Sequence, residues 1–69
     1  MVEIFRTDVT EQAHAARLLE LLRARFPDCE WHFDLDDCDR ILRAAGVSVD
    51  VAAISEMVRG AGFCCDLLV

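Results

Sequence analysis

Few side chains in this 69-residue chain are suited to chemistry, chiefly four cysteines (Cys29, Cys38, Cys64, Cys65), two histidines (His14, His32) and a surplus of carboxylates. Glu11 and His14 stand i, i+3 at the start of an expected helix, a spacing that lets both side chains point the same way. An imidazole nitrogen beside a carboxylate oxygen suits Zn²⁺ or another borderline divalent ion. Structural zinc takes four ligands, however, so this pair completes a site only if a dimer supplies a second one. Alone, the two read as a helix-capping glutamate beside a solvated histidine.

Cys64 and Cys65 are adjacent in an expected strand and therefore point to opposite faces, which prevents them from chelating one ion. Cys64 is expected on the open face of the sheet, where its thiol can oxidise or link two chains. Cys29, Cys38 and Cys65 are expected to be buried as small hydrophobes. The acidic run Asp34-Leu35-Asp36-Asp37-Cys38-Asp39 lacks the spaced oxygens, central glycine and terminal glutamate of a calcium loop, and reads as a turn. His32 and Asp34 share a strand face, but neither a nucleophile nor a pocket accompanies them. No enzymatic activity and no cofactor are expected.

Length and composition bound the rest. Sixty-nine residues make one domain with little core to spare for a deep pocket. A hydrophobic share of 55% argues for a folded chain. A net charge of −6 argues against nucleic acid as a partner, because phosphate binding needs a cationic stripe. The opening MVEIFRT lacks the basic start and long apolar run of a signal peptide, and no apolar run approaches the length of a membrane span. A cytoplasmic chain with reduced thiols, not associated with membranes, is expected.

The hydrophobic patterns follow the order strand (VEIFRT), helix (Thr10 to Phe26), two strands within WHFDLDDCDRILRA, helix (Ser48 to Ala61), strand (FCCDLLV). In the first helix, Ala15, Leu18, Leu19, Leu22 and Phe26 form an apolar stripe, and Pro27 closes it. Its cap is either Asp8 with Glu11 in a capping box or Thr10. Ser48 is expected to begin the second helix with Asp50 in its first turn. Val51, Ile54, Val58 and Ala61 then face inward, and Gly60 or Gly62 supplies a left-handed exit.

Trp31, Phe33 and Leu35 alternate with His32 and Asp34, which sets the aromatic set against the helices. A two- or four-residue hairpin loop around Asp36 and Asp37 puts Leu42 and Ala44 on that same face. An odd loop would bury the Arg43 guanidinium, at high cost. Outside, Arg43 can meet Glu30 or His32. In the last strand Phe63, Cys65 and Leu67 are expected inside, with Cys64, Asp66 and Leu68 outside. The βαββαβ order with right-handed crossovers yields an α+β ferredoxin-like sandwich, with an antiparallel sheet in the order 4-1-3-2 and both helices on one face. With Phe5 and Thr7 turned inward, Val2, Ile4, Ile41, Cys64 and Leu68 form an apolar strip on the uncovered face. Such a strip is a candidate contact surface for a second copy or another protein.

With these elements placed, the chain resembles the heavy-metal-associated (HMA) domains, the copper chaperones and metal-binding modules of P-type cation pumps. WHFDLDD is similar to that family's second strand, and GAGFCCDLL to the glycine-plus-aromatic lead-in to its last strand. The family's first loop reads roughly M-T-C-x-x-C, and its two thiolates hold Cu(I). Here Val9 takes the methionine position, Thr10 matches the threonine, and Glu11 and His14 take the two cysteine positions. The resemblance therefore implies a metal-chaperone scaffold without its Cu(I) site, working as a small interaction module. Two alternatives are weak divalent-metal handling by His14 and Glu11, and a small-molecule sensor suggested by fold analogy.

Overall fold

Alternation of apolar and polar residues sets the first strand, β1 (Val2–Thr7), in which Phe5 and Thr7 are buried while Val2, Ile4 and Arg6 are exposed. A computed structural model describes residues 1–68; Val69, the end of the expected last strand, lies outside the described residues. The remaining elements are α1 (Gln12–Arg25), β2 (Glu30–Asp34), β3 (Ile41–Ala45), α2 (Val51–Gly60) and β4 (Cys65–Leu68). The four strands pair antiparallel in the order β2-β3-β1-β4, the ferredoxin-like arrangement expected.

Register explains the core. Phe33 stands opposite Leu42, Leu42 opposite Phe5, and Phe5 opposite Leu67, so one row of apolar side chains crosses the whole sheet on the helix side. Phe5, Leu42, Ala44 and Cys65 from this face join Ala15, Leu18 and Leu22 of α1 and Ile54 and Val58 of α2 in one buried cluster. Leu19, Phe26, Trp31, Phe33, Val51 and Phe63 pack around it, half-buried. Leu67 lies on this face as expected, yet is 37% exposed, because β4 borders only β1 and leaves it at the sheet's edge.

The helix ends differ from the sequence expectation. Asp50 itself caps α2, its carboxylate accepting from the Ala53 N–H at 3.1 Å, which leaves Ser48 outside the helix. Neither Asp8 nor Thr10 caps α1: Glu11 occupies the cap position with extended backbone, and no side chain bonds to the first turn. Ala61 is exposed because it is the cap at which α2 turns away. Gly62 takes the left-handed exit, with φ +99. Its N–H reaches the Arg59 carbonyl at 3.0 Å and the Phe63 N–H reaches that of Val58 at 3.3 Å, closing a Schellman motif.

The hairpin has the expected parity but a longer loop. Asp34 pairs with Ile41, which leaves residues 35–40 as the connection and keeps Leu42 and Ala44 inside. The extra length folds back onto β1. The Thr7 N–H donates to the Asp39 carbonyl at 3.0 Å. The buried Thr7 hydroxyl donates to the Arg40 carbonyl at 2.6 Å and accepts from the Val9 N–H at 3.3 Å. Arg40 adopts φ 46, and its guanidinium donates to the Leu35 carbonyl. No helix among the described residues is long and apolar enough to cross a membrane.

Candidate functional site

The loop between β1 and α1 is where the resemblance locates a metal, and three elements meet there. Val9 is fully buried and anchors the loop to the core, while Asp8, Thr10 and Glu11 stay exposed. Glu11 and His14 are brought together as their spacing implies, with Oε2 and Nδ1 3.6 Å apart on exposed side chains. His14 also tilts against the Phe63 ring, centroid to centroid 5.4 Å.

Phe63 leads into Cys64, and there the structure adds a residue that sequence reasoning placed elsewhere. The Cys64 N–H donates to the Asp8 carboxylate at 2.7 Å. The strand begins only at Cys65, so Cys64 sits at the end of the sheet beside the loop, not within the open-face strip. Its thiol is exposed, and the hydrogen-bonded, negatively charged Asp8 carboxylate raises its pKa. A raised thiol pKa lowers the thiolate fraction, which argues against Cys64 as an activated redox cysteine. Cys65 is buried, and burial pushes its thiol up as well.

The other two thiols are less buried than expected. Cys38 is exposed at the tip of the acidic turn, and Cys29 is half-buried, with its thiol near the Ser48 carbonyl. Among the described residues, the one group of three or more potential ligands whose donor atoms lie within 4.8 Å of one another is Asp37, Cys38 and Asp39. Those carboxylates are already engaged: that of Asp37 accepts from the Asp39 N–H at 2.8 Å, and that of Asp39 meets Arg6 at 3.3 Å. Asx-type bonding of this kind is what makes aspartate a turn residue. Glu11 and His14 find no third donor within that distance.

The open face is less continuous than the alternation implied. The outward row His32, Arg43, Ile4, Leu68 crosses all four strands, and a second row runs Glu30, Ala45, Val2. Val2 is 50% and Ile4 39% exposed, and Leu68 is half-buried beside them. Ile41 is cut off from this group on its own strand by the charged Arg43. Arg43 stands opposite His32, and among the described residues it forms no ion pair with Glu30. A shallow depression of about 380 Å³ lies at the far end of β1 from Asp8, between Met1, Asp28, Glu30 and Val47, and contains no histidine or cysteine. No protein-family model, no curated protein and no solved structure matches the chain.

Proposed function

We propose that this chain is a small non-catalytic binding module, a divergent metal-chaperone-like scaffold that lacks a Cu(I) site and works through protein contact on its open sheet face. The observation that supports it is the uncovered group Val2, Ala45, Ile4 and Leu68, flanked by Glu30, Asp34 and Asp66 on the two edge strands and by Arg6 and Arg43 on the two central ones. Glu11 and His14 at the thiolate positions offer hard and borderline donors where Cu(I) prefers sulfur.

Charge selects the occupant. Two copies would each bring a net charge of −6 to the contact, so self-association is opposed. A protein surface with an apolar centre, basic groups opposite Glu30, Asp34 and Asp66 and acidic groups opposite Arg6 and Arg43 complements the face. Four strands about 4.8 Å apart and five residues long give a plan area of roughly 320 Å². A standard interface takes about 800 Å² from each partner, so the complex is expected to be transient.

Photo-crosslinking from Ile4 tests this reading, with Leu21 on the exposed side of α1 as the control position. A discrete adduct from Ile4 with a different protein, absent from Leu21, supports the proposal. An adduct with a second copy of the chain, or equal adducts from both positions, contradicts it.

A further inference from the structure

β2 and β4 border the sheet, and their outer edges are not alike. Met1 and Gly46 exchange both backbone hydrogen bonds, which sets the phase of the ladder, because bonded pairs alternate along antiparallel strands. Leu42 and Ala44 of β3 therefore bond to β1, while Ile41, Arg43 and Ala45 bond to Asp34, His32 and Glu30 of β2. The same phase turns the backbone groups of Cys65 and Leu67 outward from β4, and those of Trp31 and Phe33 outward from β2. On β4 the outward Cys65 carbonyl accepts from the Arg59 guanidinium at 2.7 Å, so a cation covers that edge. On β2 the N–H and C=O groups of Trp31 and Phe33 have no partner among the described residues. Glu30 and Asp34 bracket them with exposed carboxylates, and neither meets a cation among the described residues.

We propose that β2 is a docking edge for an extended, basic segment of another protein, which pairs antiparallel with it and lengthens the sheet. The inference concerns the edge and does not depend on contact at the open face. Residues of the segment opposite Trp31 and Phe33 exchange both backbone bonds with them and lie on the helix side. Two half-buried rings flank them there, so apolar side chains fit. Residues opposite Glu30 and Asp34 lie on the open face, where lysine or arginine forms cross-strand ion pairs. In this mode main-chain bonds supply affinity and alternate side chains supply choice. A second copy does not fit. Symmetric pairing of β2 with itself sets Trp31 opposite Phe33, Trp31 opposite Trp31, or Phe33 opposite Phe33. The first register puts Glu30 against Asp34, the second Asp28 against Asp34, and the third Glu30 against Asp36. Each sets carboxylates directly opposite one another, which opposes pairing.

The test titrates the capped peptide Lys-Val-Thr-Val-Lys into the isotope-labelled full chain and follows its backbone amides by NMR. Saturable shifts are expected at Trp31 and Phe33, and larger there than at Leu67 on the other edge. Methylating both valine nitrogens is expected to abolish them, because those N–H groups donate to β2; methylating the threonine nitrogen, which points away, is not. The peptide Glu-Val-Thr-Val-Glu is expected to bind at least about 10-fold more weakly, since two cross-strand ion pairs become two like-charge pairs. Glu30→Lys with Asp34→Lys, both on exposed side chains, is expected to reverse that order, with circular dichroism reporting the fold. Shifts centred on Ile4 and Leu68 with none at Trp31 and Phe33 overturn the edge in favour of the open face. Binding that survives methylation of the valines overturns backbone pairing, and equal binding of the acidic peptide overturns selection by charge. Concentration-dependent shifts at Trp31 and Phe33 without peptide overturn it in favour of a second copy. No shifts at all overturn it outright, and leave the open-face reading standing.

Discussion

The Asp8 carboxylate accepts a hydrogen bond from the backbone N–H of Cys64, 56 residues away, at 2.7 Å. This bond stitches the loop after β1 to the lead-in of β4, and it places a thiol beside the loop where a metal site is expected on grounds of resemblance. The same carboxylate holds the Cys64 thiol above its usual pKa. Asp8→Asn removes the charge and is expected to lower that pKa and speed alkylation of Cys64 at mildly alkaline pH. Mass-resolved alkylation, with exposed Cys38 as the internal reference, measures this. An unchanged rate ratio would show that Asp8 does not govern the thiol.

Thr7 is the counterpart at the other side of the loop. Its buried hydroxyl serves the Arg40 carbonyl and the Val9 N–H together. Thr7→Val keeps the shape and strands both partners, so it is expected to cost about 1–3 kcal/mol. Urea denaturation followed by Trp31 fluorescence measures the loss.

The two glycines at the end of α2 are expected to respond with opposite signs. A Cβ on either meets nothing within 4 Å, so backbone conformation alone decides. At Gly62, with φ +99, alanine is expected to cost about 1–2 kcal/mol. At Gly60, inside the helix, alanine is expected to stabilise by up to about 1 kcal/mol. Thermal melts of the two single variants test the pair, and shifts of the same sign would refute the assignment of the exit to Gly62.

Cys65 ties stability to alkaline pH. Burial raises its thiol pKa in the folded chain, so above the usual thiol range the unfolded chain has lost a proton that the folded chain retains. The folded state then binds more protons, and unfolding free energy falls as pH rises. Cys65→Ala lowers the baseline by leaving a cavity, but is expected to flatten the alkaline slope. Denaturation midpoints across that range separate slope from baseline.

Much of this fold is legible in residue patterns. The alternation of Trp31 and Phe33, with the cost of burying Arg43, settles the face of both hairpin strands, because a one-residue slip would reverse every side chain. The length of the hairpin loop is not legible. It depends on Asp34 and Asp37 bonding to nearby backbone amides and on Arg40 taking a left-handed conformation, neither of which has a periodic signature. Ser48 and Asp50 are both good caps two residues apart, and only the folded backbone selects Asp50. Glu11 and His14 were visible because they are local to one helical turn. The expected open-face position of Cys64 gives way to one beside the loop because its contact with Asp8 exists only once β4 has paired with β1, at Thr7 opposite Cys65.

Native mass spectrometry of the full chain, mixed with one equivalent of Cu(I) in the presence of a competing thiol, tests the central claim most directly. A monomer that yields Cu(I) to the competitor is the predicted result. A chain that retains one Cu(I), or a stable homodimer, would contradict a scaffold that has given up copper and contacts a different protein.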